Sequence, residues 1–325
     1  MTDLFAVLAP GAFTTVQDAG RFGYQSLGVP VSGALDLFSH QVANLLVGNR
    51  PNRACLELTI LGPRLEVLAE ADLALTGAEM GLTVNGVPQA GWCSVRVRPG
   101  DVVEVGQVRS GCRGYLAASG GIDVRPVMGS CSTYVGGKLG GFEGRPLSAG
   151  DRLPGGSASL LAAPRVLPGR FVPTYPVEVA LRALRGPQDD YFREGLEVLF
   201  SSPFLVTAKA DRMGYRLQGP RVALRGGVPR SIVSEPSMPG GVQIPPDEQP
   251  IVLLVEQTVG GYAKAATVVS SDLCRLAQAT PGDTVRFEEI DLAAAHALCR
   301  EEAGRMRDIT ALWEDANGGS NPARR

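Results

Sequence analysis

Apolar stretches of strand length, cut at short intervals by Gly, Pro and Asp, run through almost the whole chain. They include residues 65–77 (LEVLAEADLALTG), 101–106 (DVVEVG), 114–121 (GYLAASGG), 221–227 (RVALRGG), 249–257 (QPIVLLVEQ) and 283–290 (DTVRFEEI). β-Branched residues favour extended backbone, and such frequent turn formers break a helix before it can lengthen. With 41 Gly and 24 Pro among 325 residues, turn formers make up one residue in five. The usual share is roughly 12%. No collagen-like period accompanies the excess, so the chain is expected to be mainly β.

Two segments carry helical spacing instead. Residues 32–49 place Leu35, Phe38, Val42 and Leu45 or Leu46 at helical spacing, with Ser32 as a candidate N-cap. Residues 291–315 are Ala-rich, open with an acidic residue and predict a C-terminal helix, and residues 316–325 (ANGGSNPARR) read as a frayed tail. A Pro-rich connector at 163–176 divides an N-terminal half (1–162) from a C-terminal half (177–290). The halves share landmarks in the same order. Arg21-Phe-Gly-Tyr24 recurs as Arg212-Met-Gly-Tyr215, and Pro99-Gly-Asp101 recurs as Pro281-Gly-Asp283. The expectation is a duplicated unit, two β-barrels closed around Pro-Gly-Asp turns, which would leave few exposed strand edges.

The net charge of −2 offers no electrostatic footprint for nucleic acid or an anionic membrane. Six cysteines without a CxxC pair, and two histidines (His40, His296), give no clustered metal-ligand set. The first residues, MTDLFAVLAPGAF, have no basic region and only a brief apolar run, so neither a leader nor a membrane span is expected and the cytoplasm follows by default. Lys138 in GGKLGG is followed by Leu139, so no Walker-type phosphate loop is present, and no Met lies beside a Lys, so no biotin-attachment lysine is present either. GxSxG does not occur, which disfavours a serine-hydrolase triad.

Three segments carry chemistry. Thr14–Arg21 (TTVQDAGR) gathers hydroxyls, an amide, a carboxylate and a guanidinium, with Gln17, Asp18 and Arg21 as candidate site residues. A planar guanidinium suits a carboxylate or phosphate, although the same spacing also fits a structural Asp18–Arg21 bridge. Residues 128–145 (MGSCSTYVGGKLGGFEGR) combine Ser130 and Ser132 with a glycine-rich loop of the kind that forms anion-binding nests. A flexible hairpin is the plainer reading. Residues 239–246 (PGGVQIPP) followed by 255–264 (VEQTVGGYAK) bring Gln243, Thr258, Gly260, Gly261, Tyr262 and Lys264 into consideration. The Gln243 amide has the paired donor and acceptor that recognise a lactam or urea-like group, whereas turn punctuation with exposed polar groups explains the spacing equally well.

Taken in order, TTVQDAGRFGYQSLGVPVSGALD (14–36), GYLAASGGID (114–123), GSCST (129–133), LGGFEGR (139–145), DRMGYRLQG (211–219), PGGVQIPPDEQPIVLL (239–254) and GGYAKAATV (260–268) resemble one family over about residues 5–290. It is the family of the 5-oxoprolinase C subunit, also called allophanate hydrolase subunit 2. The family also includes an antagonist of a sporulation-kinase inhibitor and the carboxyltransferase region of urea amidolyase.

The resemblance implies cyclophilin-like β-barrels and obligate pairing with a homologue of the oxoprolinase B subunit, and in the oxoprolinase with the A subunit too. It implies ATP-dependent opening of 5-oxo-L-proline to L-glutamate, with ATP consumed by the complex and biotin not attached to this chain. Two other roles follow from it. One is binding and antagonising a kinase inhibitor homologous to the B subunit. The other is acting as the carboxyltransferase component of a biotin-dependent urea or amide carboxylase. Gln17, Asp18 and Arg21 would form one wall of a cleft for a small amide, and Ser130 and Ser132 with the glycine loop a second. Arg212, Gln243, Thr258, Gly260–Tyr262 and Lys264 would complete it. Arg21 and Arg212 would hold a carboxylate or phosphate, Gln243 would read the amide, and Asp18 would orient Arg21 or accept a proton. Cys131, Tyr134, Glu256, Val259 and Ala263 depart from the family pattern, which has Arg, Asp, Asp, Thr and Pro there.

Overall fold

A computed structural model describes residues 2–314. The predicted tail at 316–325 and the last residue of the predicted C-terminal helix lie outside the described residues.

The N-terminal half folds around strands at Thr2–Ala9 (β1), Phe13–Gln17 (β2), Cys55–Thr59 (β3), Arg64–Val67 (β4), Ala71–Val84 (β5), Val87–Gln89 (β6), Ser94–Val97 (β7), Val102–Ala118 (β8) and Arg152–Gly155 (β9). They form one nine-stranded sheet along the path β2-β3-β8-β4-β1-β9, and β5 pairs with β8 while carrying β6 and β7. The sheet curls into a half-barrel whose path ends at β2 and β9. It does not close as the duplication argument expects.

The C-terminal half does close. Its strands are Glu178–Arg185 (β10), Pro203–Ala210 (β11), Gly214–Gln218 (β12), Glu235–Pro236 (β13), Gly241–Gln243 (β14), Ile251–Leu253 (β15), Val259–Gly260 (β16), Lys264–Val268 (β17) and Thr284–Glu289 (β18). Seven of them make a barrel in the order β10-β17-β14-β15-β12-β11-β18, sealed by the parallel pair β10–β18. β13 and β16 form a separate two-stranded ribbon. Alternation explains the barrel interior. In β10, Val179, Leu181 and Ala183 point inward between more exposed neighbours, and in β18 Val285 and Phe287 do the same. Each large apolar side chain so buried contributes about 1.5–3 kcal/mol.

The first helix begins later than its apolar spacing suggests. Ser32 takes a left-handed backbone (φ 53°) ahead of Gly33 (φ 84°), and the helix runs over Leu37–Leu46 (α1). Asp36, not Ser32, is its cap: the carboxylate accepts from the Ser39 N–H at 3.0 Å. Two short helices follow at Glu194–Ser201 (α2) and Leu273–Ala277 (α3). The C-terminal helix, Leu292–Glu314 (α4), starts where Asp291 accepts from the Ala294 N–H at 2.8 Å. Its Ile309 packs with Phe38, Leu45 and Leu46 of α1, so the last helix returns to the first half.

The repeated landmarks have separate explanations. In both Pro-Gly-Asp turns the Asp carboxylate accepts from the N–H three residues earlier, Arg98 for Asp101 and Thr280 for Asp283, each at 2.7 Å. Gly100 and Gly282 both have positive φ, and Val67 and Val206 exchange backbone hydrogen bonds with their respective turns. Ser148–Asp151 repeats this arrangement a third time without the proline. The Arg-x-Gly-Tyr pair is not equivalent: Tyr24 lies in a loop, whereas Tyr215 is a buried residue of β12.

Candidate functional site

Gln17 ends β2 and Asp18 follows it, and both meet the segment 127–133 from more than a hundred residues away. The Asp18 carboxylate accepts from the hydroxyls of Ser130 (2.7 Å) and Ser132, from the backbone N–H of Cys131 (2.6 Å) and from that of Gly20 (2.9 Å). Gln17 donates to the Thr133 carbonyl at 3.1 Å, and Thr133 donates its hydroxyl to the Val16 carbonyl at 2.8 Å. Four donors on one carboxylate, two of them hydroxyls, tie β2 to the loop by charge-assisted hydrogen bonds. Asp18 therefore holds the loop and does not bridge to Arg21.

Arg21 is fully buried and serves the same seam. Its Nε donates to the Val127 carbonyl and its Nη2 to the Ser132 carbonyl, each at 2.9 Å. Its third nitrogen, Nη1, and the Gln17 Oε1 are buried without a partner. The glycine loop lies directly on this layer. A Cβ at Gly140 would sit 2.2 Å from the Ser132 carbonyl and 2.5 Å from Arg21 Nη2, and Gly140 has φ +66°. Only glycine permits that approach. Burial and the nearby Asp18 push the Cys131 thiol up from its ordinary value, so it stays protonated.

Arg212 occupies a second position, at the boundary between the halves. It donates to Glu57 of β3, to Glu256 and, at 2.7 Å, to the Gly33 carbonyl. Burial disfavours the Arg212 charge, but Glu57 and Glu256 outweigh it and hold the pKa above its ordinary value. Burial likewise pushes the Glu57 carboxyl up, and Arg212 with Arg113 overcomes it and holds the group below the usual range. Glu57 also accepts from the Leu35 N–H and the Tyr115 hydroxyl. Residues 31–34 link this cluster to the first. Val31 accepts from the Arg21 N–H, Ala34 donates to the Asp18 carbonyl, and Ser32 donates to the Val255 carbonyl.

The third group lies at the mouth of the barrel. Gln243 and Lys264 are cross-strand partners on β14 and β17. Gln243 Nε2 is buried without a partner, and so is the Ser237 hydroxyl. Gly260 covers both: a Cβ there would lie 2.2 Å from Gln243 Nε2 and 3.1 Å from Ser237 Oγ. Lys264 pairs with Glu235, which also accepts from Gln188 Nε2 at 3.1 Å, while Gln188 Oε1 accepts from the Lys264 N–H at 2.9 Å. The Thr258 carbonyl accepts from Ser237 N–H and the Gly261 carbonyl from Ile232 N–H, and the Tyr262 side chain is exposed.

The predicted residues thus fall into three patches. Gln17, Asp18, Arg21, Ser130 and Ser132 meet directly. Gln243, Gly260 and Lys264 meet directly with Thr258 and Gly261 beside them, and Arg212 is joined to both groups through residues 31–34 and 255–256. Arg21 and Arg212 are engaged by internal partners, and the glycine loop seals Arg21 from above. The barrel mouth instead holds two buried polar groups without partners, Gln243 Nε2 and Ser237 Oγ, covered by Gly260. A cavity of about 810 Å3 lies elsewhere, between the connector, β10, α3 and α4, and none of the predicted residues lines it.

Sequence reasoning missed Glu57, Gln188, Glu235 and Ser237. A lone carboxylate inside the apolar run LELT was the available sign for Glu57. The others had none. Among the described residues no group of His, Cys, Asp and Glu could hold a metal ion, and no helix is long and apolar enough to cross a membrane.

Residues 27–289 match the carboxyltransferase domain, subdomain A and B. The chain is 38% identical to the 5-oxoprolinase C subunit of Escherichia coli K12 over 301 residues, 90% of this chain and 93% of that one. It is 32% identical to the 5-oxoprolinase C subunit of Haemophilus influenzae over 93% of this chain and 96% of that one. The crystal structure of the Kluyveromyces lactis urea amidolyase superposes with a TM-score of 0.88 at 33% identity, covering 95% of this chain and 20% of that much longer one.

Proposed function

Because the chain belongs to the carboxyltransferase-domain family, subdomains A and B, we propose that it is the C subunit of an ATP-dependent 5-oxoprolinase. It would open the lactam of 5-oxo-L-proline to L-glutamate together with its A and B partner subunits. The observation that carries this reading is the 38% identity to the Escherichia coli 5-oxoprolinase C subunit over 90% of this chain, above the 32–34% shared with the urea amidolyases over the same share.

The chemistry of the barrel mouth is consistent with that role. Hydrolysis of a lactam needs donors aimed at the carbonyl oxygen, where negative charge develops, and preorganised donors removed from water are worth several kcal/mol there. Gln243 Nε2 and Ser237 Oγ are two such donors. Lys264 supplies a cation beside them. ATP would be the co-substrate of the complex, bound in a site other than a Walker-type loop of this chain. The cytoplasm is the compartment proposed for the complex, and the six free cysteines suit a reducing one.

Carboxyl transfer to a urea-like acceptor is the second reading, favoured by the TM-score of 0.88 with a urea amidolyase. Both reactions act on a planar N–C=O group. Reconstitution separates them. The chain combined with its partners should release glutamate from 5-oxoproline only when ATP and this chain are both present. Carboxylation of urea in place of glutamate release would transfer the chain to the second reading.

A further inference from the structure

The ribbon of β13 and β16 is a slight structure. It consists of two residue pairs, Glu235 with Gly260 and Pro236 with Val259, extended by the hydrogen bonds of Ser237 to Thr258 and Ile232 to Gly261. Its outer face buries little: Val233 is 91% exposed, Met238 64% and Val259 48%. Segments with so few buried contacts open at low free energy.

Beneath it lie groups that are costly to leave as they are. The Lys264 side chain is 8% exposed, and its charge is balanced by Glu235 from the ribbon, a side chain 38% exposed. A buried ammonium needs a partner. The Gln243 amide nitrogen and the Ser237 hydroxyl, sealed by Gly260, have none. A buried donor left unpaired is destabilising, and an accepting ligand would recover that loss.

We propose that this ribbon is a lid over a pocket for a small lactam bearing a carboxylate, and that Glu235 latches it by occupying the carboxylate position on Lys264. On opening, the substrate carboxylate takes the place of Glu235 on Lys264 and the lactam carbonyl accepts from Gln243; Ser237, which moves with the ribbon, adds its hydroxyl when the lid closes over the ring. One carboxylate replaces another, so Lys264 is never left unpaired. A neutral amide has nothing to exchange for Glu235 and is selected against. The pocket rests on the lactam-opening reading of the chain. The latch itself does not.

Two measurements on the full chain test this. Hydrogen exchange at the amides of Ile232 and Ser237, without ligand, should quicken at least tenfold in Glu235→Gln, and unchanged exchange would overturn the latch. Calorimetric titration should show a preference for 5-oxoproline over 2-pyrrolidinone, the same ring without the carboxylate. That preference should disappear in Lys264→Met and persist in Lys264→Arg. A preference that survives Lys264→Met would overturn the carboxylate assignment. If exchange responds but neither lactam binds, the latch stands and the lactam reading of the function falls.

Discussion

Glu57 of the N-terminal sheet and Arg212 of the C-terminal barrel form an ion pair, both side chains almost wholly buried, across the boundary between the two halves. Glu256 and the Gly33 carbonyl take the other donors of the same guanidinium. Each half has its own apolar core, and this cluster is one of two places where their polar networks meet, the other being Gln278 with Asp36 and Arg113, and Arg113 with Tyr215.

Arg212→Met leaves the buried carboxylates of Glu57 and Glu256 without this partner and should lower the unfolding free energy by about 3–5 kcal/mol. Glu57→Gln leaves Arg212 paired with Glu256 and should cost less. Chemical denaturation checks this, and the double variant should lose much less than the sum because both charges leave together.

The pair also predicts a pH dependence. Burial pushes the Glu57 carboxyl up, but Arg212 and Arg113 overcome this, so it titrates below its ordinary value in the folded chain. Its stabilisation is therefore fully present above the unfolded value of about 4.3. It is lost as pH falls from there through the lower folded value. The difference in Tm between the wild-type chain and Glu57→Gln should shrink below that pH. Asp36, pushed up by burial and in part by the Glu57 charge, acts in the opposite sense, and losing that charge in Glu57→Gln brings its carboxyl back down towards the ordinary value.

Asp18→Ala should detach the 127–133 segment from β2, since four donors converge on that one carboxylate. A single hydrogen bond to a charged group contributes about 1.5–3 kcal/mol, so a loss of at least that size is expected. Limited proteolysis should then cut first within residues 127–145.

Gly140→Ala should be more damaging than its size suggests. The new methyl would lie 2.2 Å from the Ser132 carbonyl on a backbone with φ +66°. Strain of about 1–3 kcal/mol from the backbone alone is expected, before any displacement of Arg21. Gly129→Ala has φ +78° but open space around it, and it should cost less. The ratio of the two losses in thermal unfolding measures the steric part.

Much of the fold is legible in the sequence because its causes are local. Alternating burial in β10 and β18 follows from EVALRALR and TVRFEE, and the Pro-Gly-Asp turns carry their own hydrogen bonds. Closure is not local. Similar turns border an open half-barrel and a closed barrel, because closure depends on whether the first and last strands meet, as β10 and β18 do. The start of α1 escapes local spacing for a related reason: Ser32 is held by Val255, far along the chain. The site behaves likewise. Gln17, Asp18, Ser130 and Ser132 stand out by residue type, but not the fact that Asp18 serves the serines instead of Arg21. Glu235 and Ser237 sit in SEPSMPGG with no distinguishing pattern, and their importance comes only from lying over Gln243 and Lys264.

The most direct test of the account is glutamate release from 5-oxoproline by the reconstituted complex carrying Gln243→Leu. Loss of one donor to the carbonyl oxygen should lower kcat/KM about 100-fold or more, with the thermal unfolding of the chain little changed. Glutamate release at the wild-type rate would contradict the assignment of the barrel mouth as the place where the lactam is held.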